Sequence, residues 1–529
     1  MTYRKGASMG DQWPPAPFDR AYQRMREHDA WYVGNPEHLA TFYGRGPVVH
    51  TRPAQYRGGL VGAVSRFFWG RPVSPRGQQR TRLHVPLASD IATASADLLF
   101  AEPPRITVEN SATQSRLDEI VNTPGVHSAL LEAAEVAAAL GGVYLRVVWD
   151  ADIARHAMLD AVDADAAVPE WRWRELSAVT FWQTLDGTDG ATVLRHLERH
   201  EPGRIMHSLY LGTDDELGRP IPLTEHPSTA WTARVVDADG AIDTGTRRLT
   251  ANYVPNIRPS REWRSVPALK PLGRSDFDGV EPLFDALDET YSSWMRDVRL
   301  AKARLLVPAG YLQPLGGPGA GAVFDDDQEI FTELNMLTGR GDGSPPITPS
   351  QFAIRVREHR ETVEQITHDV LRAAGYSPST FGELNGATGI TATEVTDRRE
   401  LSETTRDKKS RYWQAALGPL AGALLDVDRA VFGGAGIGLD ETPLVDFGDQ
   451  AQPDPAELAR TAQTLLAAEA ASTDVRVRLV HPDWDDDQVA AEVAAILAET
   501  GRTVPDPATF RGPDQAGGAS DGMGTGPGQ

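Results

Sequence analysis

Residues 375–432 read GYSPSTFGELNGATGITATEVTDRRELSETTRDKKSRYWQAALGPLAGALLDVDRAVF. From Gly375 to about Gly389 the stretch is rich in Gly, Ser, Asn and Thr and reads as a loop. Thr391 and Glu394 then have the spacing of a capping box, in which each side chain satisfies an orphan N–H at a helix start. Thr396–Arg411 is polar almost throughout, with Leu401 the main exception. A helix polar all round bridges solvent or is held by side-chain pairs. Glu394–Arg398 and Asp407–Arg411 have i,i+4 spacing, and Glu403–Arg406 has i,i+3 spacing. From Trp413 the pattern turns apolar in steps of four and three: Leu417, Leu420, Leu424, Val427, Val431. Pro419 inside this run lacks an N–H and clashes with the preceding turn, so a kink is expected there. The polar half is expected at subunit contacts or a wet lumen, and the apolar half in a packed body.

Two more helical patterns precede this stretch. Leu283, Leu287, Tyr291, Trp294, Val298, Ala301 and Leu305 form one apolar stripe that Val307-Pro308 ends. Arg296, Arg299 and Lys302 lie on its other face, near the C-terminal end that the macrodipole makes favourable for cations. Gln351 to Ala374 repeats the helical pattern through Val356, Val363, Ile366 and Val370. Between them, Ala309–Ser350 is a small unit bounded by Gly and Pro and carrying Asp325-Asp326-Asp327. The order is helix, insert, helix, loop, long kinked helix.

The N-terminal half mixes helix and strand. Phe18, Tyr22, Met25 and Tyr32 mark one helix, and Asn35-Pro36 opens another with a cap followed by Pro at N1. Residues 44–77 read as a Gly/Pro/Arg-rich loop. Ser89–Phe100 is a short helix, and His127–Leu140 is an Ala-rich one stopped by Gly141-Gly142. Val143–Trp149 is a strand, and Ala191–Glu198 with Ile205–Leu211 flank a hairpin turn at Glu201-Pro202-Gly203. His196 and His200 on that hairpin are read as solvent-facing. Beyond Phe432, Asp454-Pro455-Ala456-Glu457 and Asp485–Gln488 open two helices, and the residues after Arg502 have little to bury and read as a disordered tail.

Composition narrows the function. The chain has 529 residues, a formal net charge of −22 and 40% hydrophobic residues, which fits a globular protein of up to about three domains. Between Gly434 and Thr500, 14 acidic residues face three Arg and no Lys, so half the net charge sits there. Such a surface gains little from phosphate neutralisation, and tight nucleic-acid binding through it is not expected. The chain has no cysteine, which excludes disulfides and thiolate metal sites. The N-terminus MTYRKGASMGDQWPP lacks the apolar core of a signal peptide, and no run of about 18 or more apolar residues occurs, so no membrane span is expected. There is no G-x-x-x-x-G-K-[ST] and no H-E-x-x-H or G-x-S-x-G; Gly316–Gly321 contains Pro318 and reads as loop. No metal or cofactor is expected. One catalytic alternative is an acidic carbohydrate hydrolase, since Asp163, Asp165 and Glu170 lie near Trp171, Trp173 and Trp182.

The element order resembles the portal proteins of tailed bacteriophages of the long-tailed type. The residues that carry the resemblance are Leu83–Pro86 with ASDIATASADLLFAEPP (88–104), ALGGVYLRVVWD (139–150) with VDADAAVPEWRW (162–173), and Phe381–Leu417. The resemblance spans about Trp31 to Thr500. It implies an α+β fold with an N-terminal wing (1–280), stem helix 1 (281–306), clip (307–350), stem helix 2 (351–374), tunnel loop (375–390), long kinked wing helix (391–432), an acidic helical crown (433–500) and a disordered tail (501–529). It implies a non-enzymatic ring, usually of twelve subunits, at one capsid vertex of the virion, assembled in the host cytoplasm. Double-stranded DNA would pass through without sequence specificity, pumped by a separate terminase, and the ring would also meet head completion or adaptor proteins and the major capsid protein. The implied channel residues are Asn385, Gly386, Thr388 and Gly389 in the loop. On the stem they are Arg296, Arg299, Lys302, Arg355 and Arg357, as DNA or subunit contacts. A different head–tail connector component is the remaining alternative.

Overall fold

The computed structural model describes residues 12–43, 83–186, 192–301, 304–306, 348–350, 354–382, 392–435, 441–448, 455–481, 484 and 486–500. The fold is α+β, and the chain divides into two units, residues 1–448 and 449–529.

In the first unit, helices α1 (Phe18–Val33), α2 (Leu87–Phe100), α3 (Ser111–Ile120) and α4 (Pro124–Leu140) accompany four antiparallel sheets among the described residues. Sequence chemistry sets their ends. Thr123 caps α4 by accepting from the Val126 N–H, Pro124 occupies N1, and Gly141 at φ 92° stops the helix. The chain then enters β2 (Gly142–Val148), the centre of a three-stranded sheet. Its neighbours are β3 (Met158–Asp163) and β10 (Ala251–Pro255). A larger sheet runs β4 (Ala167–Arg172), β5 (Glu175–Leu185), β6 (Val193–Glu201), β7 (Arg204–Gly212) and β8 (Arg219–Ile221). The strand β9 (Ala241–Asp243) also pairs with β7. The expected hairpin is present, with Glu201 opposite Arg204 across Pro202-Gly203.

The long helices follow: α5 (Glu281–Leu300), α6 (Val356–Ala374) and α7 (Ala392–Phe432). Two boundaries differ from the periodicity. The stripe assigned through Leu305 ends as helix at Leu300, because β11 (Arg304–Leu306) pairs antiparallel with β12 (Thr348–Ser350) and takes Leu305 into a ladder. The second helix begins at Val356, not at Gln351. Helix α7 is 41 residues long and runs through Pro419. Gly418 beside it is required by contact: a Cβ there would lie 2.8 Å from the Pro443 carbonyl oxygen. The chain after α7 returns as β13 (Leu444–Asp446), which pairs with β1 (Arg105–Thr107).

Two apolar clusters hold this unit together. One joins α1, α2, the base of α5 (Phe284, Leu287) and the end of α6 (Val370, Leu371, Ala374) around Tyr144 and Tyr253. The other joins α2, α3 and α4 to β2 and the second half of α7, from Trp413 to Val427. Burial of apolar surface, about 25 cal/mol per Å2, is what drives both.

In the second unit, α8 (Pro455–Ala467), α9 (Thr473–Val480) and α10 (Asp486–Glu499) pack in sequence. Ser472 caps α9 through the Val475 N–H, and Val477 and Val489 are its buried residues. The loop expected at 44–77, nearly all of the insert at 307–350, and the tail lie outside the described residues.

Candidate functional site at the helix pair and loop junction

Helices α5 and α6 form an antiparallel pair. Trp294 stacks on His359 at 5.9 Å, and Asp297 accepts from both His359 (3.0 Å) and Arg355 (2.9 Å). These two hydrogen bonds, His359 first, hold the Asp297 carboxyl below the usual range. Near the other end, Asp288 is buried and accepts from Tyr43 Oη (2.5 Å), the Val85 N–H (2.8 Å) and His84 Nδ1 (3.0 Å). Glu281 is buried against Arg24 and His28. Burial acts to raise its pKa, but the His28 hydrogen bond and the Arg24 charge outweigh it, and the net shift is downward. The first turns of α5 are therefore anchored to the N-terminal segment by carboxylates whose partners come from α1 and from Tyr43, His84 and Val85.

Of the predicted stem cations, Arg296, Arg355 and Arg357 are exposed. Arg355 pairs with Asp297 in the same chain, and Arg357 with Glu361 at 3.0 Å, both exposed. Such pairs contribute about 0–1 kcal/mol each. Arg296 is exposed on α5. Arg299 lies in the last turn of α5, with its side chain outside the described residues, as is all of Lys302. Asn385, Gly386, Thr388 and Gly389 also lie outside them.

The junction at the end of α6 is densely hydrogen-bonded. Gly375 terminates α6 at φ 94°, a left-handed conformation that favours glycine. Thr405 Oγ1 donates to the Gly375 carbonyl (2.7 Å), the Ser377 N–H donates to Ser402 Oγ (2.8 Å), and Thr380 Oγ1 bonds Ser402 Oγ (2.8 Å). One turn further along α7, Lys409 is buried. Its ammonium donates to Ser95 Oγ (2.6 Å), Asp276 Oδ2 (2.6 Å) and Tyr376 Oη (2.9 Å), so all three protons have acceptors. Tyr376 in turn donates to Asp276 Oδ2 (2.7 Å), and Asn256 Nδ2 donates to Asp276 Oδ1 (2.8 Å). Burial pushes the Lys409 ammonium downward, opposed by the Asp276 charge; burial, then that same charge, push the Tyr376 hydroxyl well up. A buried pair of this kind is stable only when its remaining valences are satisfied, as they are here.

The polar half of α7 is therefore not a solvent face throughout. Ser402, Thr405, Arg406, Lys409 and Ser410 are buried, which corrects the expectation of an open lumen or subunit surface for that stripe. Arg406 Nε donates to the Leu98 carbonyl (3.0 Å) and Nη2 to the Phe447 and Gly448 carbonyls (2.8 Å each), linking α7 to α2 and the residues after β13. Sequence reasoning missed Lys409, Asp276, Tyr376, Ser95 and Asn256. The signal was present: stepping back from Trp413 by four reaches Lys409, then Thr405 and Ser402, so the stripe keeps its phase while its chemistry changes.

His196 and His200 are likewise buried rather than solvent-facing. His196 Nε2 lies 3.2 Å from His207 Nδ1 with the rings stacked, and His200 bonds Glu198 (2.7 Å) and Thr250 (2.7 Å). Burial lowers His207 to about 4. For Glu198 burial acts upward, but the His200 hydrogen bond and the Arg146 charge bring it down to about 2. Among the described residues no group of three or more His, Asp or Glu could hold a metal ion, and no helix is long and apolar enough to cross a membrane.

The carboxylates of the hydrolase alternative do not share a cleft. Glu170 is paired with Arg199 at 2.7 Å, and the cavity of about 280 Å3 that contains Asp163 and Trp182 is walled by Arg146, His196 and Glu198, not by Glu170. Trp173 is 93% exposed at a strand turn.

No protein-family profile matches the chain, and no curated protein matches it. Among solved structures it is similar to chains of gene transfer agent particles. One, from the neck of the empty particle with C6 symmetry, is 13% identical with a TM-score of 0.38, covering 83% of this chain and 96% of that one. A second, from the neck of the native particle with C12 symmetry, is 12% identical with a TM-score of 0.37, covering 86% and 99%. A third, from the virion of the native particle, is 12% identical with a TM-score of 0.35, covering 83% and 96%. At these TM-scores the likeness is a partial overlap of backbone and decides nothing about function.

Proposed function

We propose that this chain is the portal subunit of a tailed-phage-like particle: a ring-forming, non-enzymatic component of the virion through which DNA is packaged and released. The observation that carries this reading is the antiparallel pair α5–α6, closed distally by the β11–β12 ladder and joined through the segment after Gly382 to the 41-residue α7. Two packed helices joined at one end by a strand ladder, with the residues after Gly375 clamped onto a long helix at the other, suit a channel wall.

On this reading 1–280 is the wing, α5 and α6 are the stem, 307–350 the clip, 375–390 the tunnel loop, α7 the long wing helix and 433–500 the crown. Twelve copies would form the ring. Asn385, Gly386, Thr388 and Gly389 would face duplex DNA. Arg296, Arg299, Lys302, Arg355 and Arg357 would present cations to DNA or to a neighbouring subunit. The net charge of −22 favours passage over retention, since a duplex gains counterion-release affinity only where cations replace its counterions. A terminase would supply the motor, and head completion proteins and the major capsid protein would bind the clip and wing.

The test is direct. Negative-stain images and light scattering of the purified chain should show a closed ring; a monomer under every condition would remove the proposal. Deleting residues 385–389 should leave ring assembly intact and abolish DNA packaging. Loss of assembly would make that segment structural.

A further inference from the structure

The turn between β4 and β5 breaks a local rule. Its two central residues, Trp173 and Arg174, both have positive φ, 54° and 75°. Two-residue hairpin turns of this kind take Asn-Gly or Asp-Gly, because a bulky side chain is strained there. Here the strained pair is a tryptophan, 93% exposed, and an arginine, also exposed. Backbone strain kept alongside an exposed aromatic has no packing justification, and strained positions cluster at functional surfaces.

Beside this turn lie two cavities, of about 320 and 530 Å3. They share Arg174, Glu175, Arg258 and Tyr412 as walls, so they form one groove between the turn and α7. Lys270 closes one end, and Trp171 and Tyr253 line the other. The polar atoms left over in this groove are donors. Arg258 Nε and Trp171 Nε1 are both buried without a hydrogen-bond partner. Among the described residues, none of Arg174, Arg258 and Lys270 lies within ion-pair distance of a carboxylate. Arg174 and Lys270 are exposed, while the half-buried Arg258 guanidinium lies 5.9 Å from the Tyr253 ring centroid and its unpartnered Nε is the costly donor. Glu175 is the one carboxylate among these walls, where Arg174, Arg258 and Lys270 bring three cations.

We infer that this groove docks an acidic peptide segment of a partner protein, with Arg174, Arg258 and Lys270 receiving its carboxylates and Trp173 and Tyr412 covering its apolar flank. A guanidinium fork matches a carboxylate in two parallel hydrogen bonds, and an adjacent ring covers the neighbouring side chain. Two observations favour a peptide over nucleic acid. The cavities are of side-chain size. The field of a chain at −22 opposes a polyanion more than a segment with two or three charges.

The experiment uses the full chain and a fluorescein-labelled octapeptide alternating Glu and Leu, read by anisotropy. Controls are the Lys/Leu octapeptide and a labelled single-stranded oligonucleotide. Saturable binding of the Glu/Leu peptide alone is expected, weakened at least tenfold by Arg258→Gln. The decisive variant is Trp173→Asn with Arg174→Gly. It relieves the turn, so Tm should rise by about 2–5 °C, while peptide binding falls at least tenfold. No saturable binding, equal binding of the oligonucleotide, or undiminished binding by the turn variant would each overturn the inference. If the turn variant instead lost self-association, the groove would belong to a second copy of the chain, which also overturns it.

Discussion

The two halves of α7 make the same kind of contact with opposite chemistry. From Trp413 to Val427 the helix buries Leu417, Leu420 and Leu424 in an apolar cluster. From Ser402 to Lys409 the same stripe is buried through hydroxyls and an ammonium. The apolar half is non-directional: it needs volume and shape, and its neighbours can shift to accommodate change. The polar half is directional. Each of its bonds names one acceptor, and together they define where α6 ends and where the following loop departs. The packed half gives the helix its place, and the polar half gives the junction its register.

The comparison breaks most readily at Lys409. Lys409→Met should cost about 3–5 kcal/mol, because it leaves the Asp276 carboxylate buried without its cation. Adding Asp276→Asn should bring stability back to within about 2 kcal/mol of the parent, as replacement of both partners does elsewhere. Chemical denaturation of the single and double variants measures this. No recovery in the double variant would mean that the pair contributes more than mutual compensation.

Leu424→Ala in the apolar half should cost about 2–5 kcal/mol through lost transfer energy and a residual cavity. No second polar substitution should restore it. Urea midpoints compared with the Lys409 series separate a rescuable loss from a non-rescuable one.

Gly375→Ala probes the seam between α6 and the loop. Its φ of 94° and a Cβ placed 2.9 Å from Thr405 Oγ1 make the substitution strained, at about 1–2 kcal/mol. Amide exchange of Tyr376 and Ser377 should accelerate more than that of residues around Leu424; uniform acceleration would show that the seam is not locally held.

The smallest effect should come from Ser402→Ala, which removes the acceptor of the Ser377 N–H and the partner of Thr380 Oγ1 and should cost about 1 kcal/mol. Faster exchange at Ser377, with the Tm nearly unchanged, is the expected signature.

Much of the fold was legible because local rules set it. Gly141 ends α4 where the pattern placed its end, and Pro202-Gly203 turns the β6–β7 hairpin, whereas α4 starts at Pro124 behind the Thr123 cap, three residues before the His127 expected. The phase of the apolar residues in α7 also followed from spacing alone. The site was less legible. Asp276 lies in an irregular stretch and Ser95 in the middle of α2, and neither stands in a pattern that marks it as the partner of Lys409. The end of α5 at Leu300 was hidden for a similar reason: Leu305 fits a helical stripe equally well until its strand partner at 348–350 is known.

By itself, the sequence determined the helices, their caps, the strand alternation and the excess of negative charge, because these depend on neighbours within a few residues. Only the tertiary structure decided that a polar helix face is buried, that Lys409 finds Asp276 across 133 residues, and that Arg174, Arg258 and Lys270 border one groove beside Trp173. Burial and pairing depend on which distant segments meet. A charged side chain is written with the same letter whether water or a buried counter-ion satisfies it.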